Sequence, residues 1–216
     1  MPEVIAIDGP AASGKSSVAR AVAQKLGWTF VNTGNMYRAV TWAVLDTGID
    51  PSDPAAITAA LDRMGIDFKT EAGETSVCIG GKTLHAELTE DRVNKAVSLV
   101  ASVPAVRQKL VAGQRALTRL GSLVMEGRDI GSVVFPHSRF KFYVDASEEV
   151  RTARRQAQGH VDQISARDRM DSSRKTSPLI TAPDAIVIDS SHLSLAQVID
   201  RVLADLATRG LTPPTA

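Results

Sequence analysis

The chain has 216 residues, enough for one good hydrophobic core with a small insert. Its 44% hydrophobic and 23% charged residues are ordinary for a globular protein, and a net charge of +1 gives no bulk field to draw it to nucleic acid or a membrane. The single cysteine, Cys78, excludes an internal disulfide and a cysteine-based zinc cluster, and His85, His137, His160 and His192 lack metal-ligand spacing. No long apolar run suggests a membrane span, and the first strand starts directly after Met1-Pro2-Glu3, leaving no room for a signal peptide. The expectation is a cytoplasmic, monomeric enzyme working on small molecules. Thr212 to Ala216 reads as a frayed tail.

The first predicted element is Val4 to Ile7, a β-branched run suited to a buried parallel strand. It runs into Gly9, Pro10, Ala11, Ala12, Ser13, Gly14, Lys15 and Ser16, which read G-x-x-x-x-G-K-[ST]. Ser17 opens a helix in which Val18, Val22 and Leu26 share one face, and Gly27 supplies its C-cap. Strand, glycine loop and helix is the order that phosphate binding needs. The glycines let the backbone turn its N–H groups toward phosphate oxygens, and the helix N-terminus adds positive potential. Lys15 is expected to be solvent-facing and to reach the β- and γ-phosphates, with the Ser16 hydroxyl on Mg²⁺.

Thr29 to Asn32 forms the next strand, followed by a helix from Asn35 to about Leu45 with Met36, Ala39, Val40 and Ala43 inward. Arg38 falls in its first turn, where the helix dipole disfavours a cation. It is either a solvated surface charge or the grip on a second phosphate. Asp53 and Pro54 start a helix that stops at Gly65. The pattern then changes to short β-like runs, with Gly80-Gly81 as a hairpin turn, and residues 66–88 read as a small antiparallel insert.

Helical pattern returns over Glu90 to Val103, and again after Pro104 to about Gly121, with Ser98, Arg107 and Arg115 at polar positions. Ser122 to Met125 reads as a buried strand, and Glu126 to Gly131 follows at its carboxyl end, where open α/β sheets bind ligands. The Gly127-Arg128-Asp129 stretch is a site candidate or a turn with an internal salt bridge. A strand at Phe140 to Val144 precedes a helix capped by Ser147. Arg151, Arg154, Arg155, Arg167, Arg169 and Arg174 then alternate with Asp162, Asp168 and Asp171, as a salt-bridged helix surface or as a cationic lid over phosphates. The last strand is Ala185 to Asp189, and the capping box Ser194 to Gln197 opens a helix to about Thr208.

Several motifs together carry a family resemblance. They are Ile7-Asp8-Gly9-Pro10 with Gly14-Lys15-Ser16, Asn32-Thr33-Gly34 with Met36-Tyr37-Arg38, and Glu126-Gly127-Arg128-Asp129-Ile130-Gly131 with Val133 to Pro136. Arg167-Asp168-Arg169 with Asp171 and Arg174, Ser177-Pro178-Leu179, and Asp184-Ala185 with Ile188-Asp189 complete them. In this order the chain resembles the bacterial cytidylate kinases, within the nucleoside monophosphate kinases.

The resemblance implies a P-loop NTPase-type α/β fold, with a five-stranded parallel sheet flanked by helices, a small antiparallel β insert in the monophosphate-binding region and a short arginine-rich lid. It implies one domain over 1–216, with the monophosphate-binding insert at about 35–105 and the lid at about 151–175. The implied reaction moves the γ-phosphate of ATP, with Mg²⁺, to CMP or dCMP. ATP would lie on Gly9 through Ser17. The acceptor would meet Thr33, Tyr37 and Arg38, with Ser98, Arg107 and Asp129 reading cytosine and Arg128 beside them. Lys15, Arg128, Arg167 and Arg174 would carry the transfer, and Asp171 would touch the sugar. The span from Arg155 to Arg167 is shorter than in many members, so the lid is expected to be compact, with Arg151 or Arg155 stacked on adenine. The acceptor is already anionic, so no catalytic base is expected. A kinase for another acceptor is one rival. A GTP-binding switch is another, but it would carry Asn-Lys-x-Asp, whereas Asn94-Lys95 continues as Ala96-Val97.

Overall fold

The computed structural model describes residues 2–157, 164–174 and 178–211, without the side chains of 164–167. The tail from Thr212 and the motif residue Ser177 lie outside them. In chain order the strands are β1 (Val4–Asp8), β2 (Thr29–Asn32), β3 (Ile66–Glu71), β4 (Glu74–Ile79), β5 (Lys82–Thr83), β6 (Leu123–Gly127), β7 (Phe140–Asp145) and β8 (Ile186–Asp189). The helices are α1 (Lys15–Leu26), α2 (Thr33–Asp46), α3 (Pro54–Ala60), α4 (Asp91–Ser102), α5 (Pro104–Ala116), α6 (Glu148–Ala157), α7 (Ile164–Ser172) and α8 (Leu195–Thr208). They form two compact units, one of Met1–Val31 with Leu117–Ala216 and one of Asn32–Ala116.

In the first unit the strand order is β2-β6-β1-β7-β8. β1 runs parallel to both β6 and β7, and β8 runs parallel to β7. All five β1 residues are buried, as expected of a central strand covered on both faces. The predicted α1 stripe of Val18, Val22 and Leu26 packs with Ile5, Ile7, Val124, Phe142 and Ile188 in the core, joined by Val198, Val202 and Leu206 of α8. Each such apolar side chain contributes on the order of 1.5–3 kcal/mol by leaving water. Gly27 ends α1 in the left-handed region at φ 66°, and the Ser194–Gln197 capping box starts α8.

Helices α3 and α5 stop short of the predicted glycines, at Ala60 and Ala116, and two other boundaries that differ from the sequence reading bear on the site. α2 begins at Thr33 rather than Asn35, because the Asn32 side chain accepts from the Asn35 N–H and caps the helix. β6 continues through Glu126 and Gly127, because the parallel register with β1 holds to Asp8 opposite Gly127. Arg128 and Asp129 are therefore the first residues beyond the strand.

In the second unit β3 and β4 form the predicted antiparallel ladder, from Ile66 opposite Ile79 to Glu71 opposite Glu74. β5 adds a short antiparallel edge across the Gly80-Gly81 turn. Asp53 caps α3 through the Ala55 and Ala56 N–H groups, with Pro54 at its first position. Gly113 of α5 sits against the Phe68 ring, where a Cβ would lie 2.6 Å from Cε2.

Candidate active site

The loop between β1 and α1 has the geometry of a phosphate cradle. Ala12 and Gly14 adopt positive φ, 58° and 91°. A Cβ on Gly9 would lie 2.1 Å from the Val144 carbonyl oxygen, so no other residue fits there without moving β7. α1 starts with no side-chain cap hydrogen bond, which suits its first N–H groups to an anion.

Cationic side chains hold four successive or alternate carbonyls of this loop. Arg128 donates to Gly9 O at 3.0 Å and Lys15 to Pro10 O at 3.0 Å. Arg151 donates to Ala11 O at 3.2 Å and Arg154 to Ser13 O at 3.2 Å. Arg154 also donates to the Ser190 hydroxyl and carbonyl after β8, and Ser190 Oγ itself donates to Ser13 O. The loop conformation thus rests on charge-assisted bonds from α1, α6 and the β6 exit as well as on its glycines.

Lys15 departs from expectation. It is 6% exposed rather than solvent-facing, and its Nζ lies 3.9 Å from Glu126 Oε2. The cause is the longer β6, which brings the buried Glu126 carboxylate beside the loop, where Ser16 Oγ donates to its Oε1 at 2.8 Å. Glu126 opens the Glu126–Gly131 motif, but the sequence alone assigns it no role. The available signal was an acid at the carboxyl end of a strand, the position from which acids face a bound nucleotide's metal in P-loop proteins.

The predicted residues Arg128, Asp171 and Arg174 come together. Arg128 Nε donates to Asp171 Oδ2 at 3.0 Å, and Arg174 pairs with Oδ1 of the same carboxylate, which is 2% exposed. Burial works against the Arg128 charge, but Asp171, Glu126 and Asp168 outweigh it and hold the guanidinium above its ordinary pKa. Asp129 is buried beside Arg128. Arg167 lies on α7, its side chain outside the described residues. The reading of Arg151 as a platform for adenine is corrected. It is 9% exposed, with its donors on Ala146 O, Ala11 O and Asp168.

The second unit gathers the other predicted residues on α2, α4 and α5. Arg38 folds back over the first turn of α2, with Nη1 3.3 Å from the place of a Cβ on Gly34, and Nη2 donates to Asn94 Oδ1 at 3.2 Å. The Arg107 guanidinium stands 5.1 Å from the Tyr37 ring centroid and donates to Ala101 O at 3.1 Å. Thr33 and Ser98 are both buried, on α2 and α4.

A family model described as cytidylate kinase matches residues 5–208. The chain is 46% identical over 213 residues to a cytidylate kinase of Mycolicibacterium paratuberculosis, covering 92% of each. It is 40% identical over 210 residues to one from Geobacillus kaustophilus, covering 92% of this chain and 94% of that protein. Among solved structures it is similar to a gluconokinase from Sinorhizobium meliloti, with 17% identity, a TM-score of 0.49, and 96% of this chain and 93% of that one covered.

Proposed function

We propose how the site works from the premise that the chain belongs to the cytidylate kinase family and catalyses ATP-dependent phosphorylation of CMP and dCMP. The observation that carries the assignment of roles is the Arg128–Asp171–Arg174 cluster around the buried Asp171 carboxylate, whose Arg128 also grips the Gly9 carbonyl of the phosphate loop. It sets two guanidinium groups beside a loop built for polyphosphate.

In this reading ATP lies on Gly9 through Ser17, and Lys15 moves from its loop carbonyl to the β- and γ-phosphates. Arg128, Arg167 and Arg174 spread the charge of the moving phosphoryl group, and Asp171 holds two of them in register before it meets the acceptor sugar. Arg38, with Thr33 and Tyr37, takes the acceptor phosphate. Ser98, Arg107 and Asp129 read the base. An ionised Asp129 accepts only, which matches the 4-amino group of cytosine and opposes the carbonyl of uracil. The acceptor oxygen is anionic at neutral pH, so positioning and charge carry the reaction without a base.

Ser16 Oγ and Glu126 Oε1, 2.8 Å apart beside the loop, are the oxygen donors a small hard cation takes. Mg²⁺ entering with ATP would be held by Ser16, with Glu126 behind it, and would neutralise phosphate charge. No helix among the described residues is long and apolar enough to cross a membrane. We place the enzyme in the cytoplasm as a monomer, without nucleic-acid or membrane partners; its near-neutral charge supports the last of these. The test of the roles is an ADP-release assay over a panel of nucleoside monophosphates, run on wild type and on single alanine variants of Arg38, Arg107 and Asp129. CMP and dCMP should lead the panel, with the CMP preference lost in Asp129→Ala and a raised KM for every acceptor in Arg38→Ala. A retained preference in Asp129→Ala would remove that residue from base reading.

A further inference from the structure

We propose that Asp8 is a positioning residue for acceptor recognition, holding the turn that presents Arg128 and Asp129 in register with the phosphate loop. The inference rests on the reading of Asp129 as a base reader. Asp8 is the last residue of β1, 5% exposed, one residue before the loop's first glycine. Its Oδ1 accepts from the Ile130 N–H at 2.8 Å and its Oδ2 from the Gly131 N–H at 2.7 Å. These N–H groups open the π-type turn Ile130–Val134.

An aspartate at the start of such a turn ordinarily caps its own N–H groups. Asp129 holds that position and makes no side-chain cap hydrogen bond. Asp8 supplies the cap from the neighbouring strand instead, through both oxygens of one carboxylate. Packing leaves little slack. A Cβ on Gly131 would lie 3.1 Å and 3.2 Å from the Lys141 methylenes and 3.4 Å from Asp8 Oδ2. The next residue in the chain adds a third tie, since Gly9 O accepts from Arg128. The β1 exit therefore fixes two things together: the start of the phosphate cradle through its backbone, and the Arg128–Asp129 turn through one carboxylate.

Asp8→Asn separates positioning from simple support. The amide accepts from one of the two N–H groups and turns its own NH₂ against the other. The expected result is a KM for CMP raised about tenfold or more and a smaller preference for CMP over UMP, with the KM for ATP changed less than about twofold. Combining Asp8→Asn with Asp129→Ala should lower the CMP preference no further than Asp129→Ala alone, because one acts through the other. Equal rises in both KM values with an unchanged preference, or additive losses in the double variant, overturn the proposal. Should Asp8→Asn not fold, Gly131→Ala presses on the same bonds from the other side and should show the same split. Amide exchange at Ile130 and Gly131 gives a readout independent of turnover. Both should exchange slowly in wild type and faster in the Asp8→Asn or Gly131→Ala protein, and unchanged protection overturns the proposal. A wild type without CMP preference would sink the role of Asp129, while amide exchange would still decide whether Asp8 holds the turn.

Discussion

The Asp168 carboxylate of α7 accepts a hydrogen bond from the backbone N–H of Ala11 at 3.1 Å, while its other oxygen pairs with Arg151, which in turn donates to the Ala11 carbonyl. One residue of the phosphate loop is thus tied at both its backbone groups to the arginine-rich segment. Asp168→Ala cuts one tie and leaves Arg151 without its anion. The expected result is a kcat about ten- to a hundredfold lower, with more ADP released per CDP formed, because a loosened cover admits water to the γ-phosphate. Measuring both products in one reaction checks this, and an unchanged ADP to CDP ratio would count against the tie.

Lys15→Ala should affect stability as well as rate, since Lys15 is buried against Pro10 O and Glu126. Losing it leaves a buried carboxylate short of its cation, a cost of about 1–3 kcal/mol in unfolding experiments. Turnover should fall by roughly a hundredfold or more through the missing phosphate contact. A variant with wild-type Tm would contradict the buried placement, and one with wild-type kcat would contradict the phosphate role.

Base choice supplies a prediction on one carboxylate. A polar site that loses its partner can discriminate by about 10⁴-fold. Wild type should strongly prefer CMP and dCMP to UMP in kcat/KM, and Asp129→Ala should shrink the gap mainly by losing CMP activity. Equal proportional losses for CMP and UMP would make Asp129 a support for Arg128 alone.

The pH dependence of stability carries a signature of Asp8. Burial pushes its carboxyl up to about 7, against the Gly131 and Ile130 N–H groups; the Asp129 charge adds to the rise and Lys15 opposes it. Lys141 lies beside Gly131 next to it, and Tyr143, opposite Asp8 on β7, also feels its charge. Because the folded pKa is raised, the contribution is full below the unfolded value of 3.8 and is lost as pH rises through about 7. Urea unfolding of wild type and Asp8→Asn at pH 5 and 8 isolates it, since other carboxylates cancel in the difference. Wild type should lose on the order of 2–3 kcal/mol relative to Asp8→Asn between those pH values. A constant difference would mean that Asp8 does not titrate there.

Much of this was legible in sequence because it is local. The phosphate loop, the α1 stripe, the Gly27 and Ser194 caps and the Gly80-Gly81 hairpin depend on neighbours a few residues apart, where spacing and turn chemistry act directly. What escaped is set by register between distant strands. Glu126 meets Ser16 only because Ile7 lies opposite Glu126 in the parallel pair, and no period in the sequence encodes that offset. The burial of Lys15, the bonds of Arg151 and Arg154 to loop carbonyls and the reach of Asp8 to Ile130 follow from the same long-range pairing. An arginine read along a helix surface carries no sign that its head group will be spent on a backbone carbonyl.

The pairing of β1 also orders events during synthesis. Val4 lies opposite Leu123 and Ile5 opposite Phe140, so β1 finds these partners only after the whole Asn32–Ala116 unit has followed it. The unit Asn32–Ala116 is one uninterrupted stretch whose β3–β4 ladder closes on its immediate neighbour. Short-range closure is fast and long-range parallel pairing slow, so the intervening unit is expected to become protease-resistant on nascent chains while Val4–Asp8 remains cleavable. Chains stalled before Leu123 should show that pattern, and chains stalled beyond Asp145 should begin to protect both. Until then Val4 to Ile7 is an unpaired apolar strand, the segment of this enzyme most in need of a holdase.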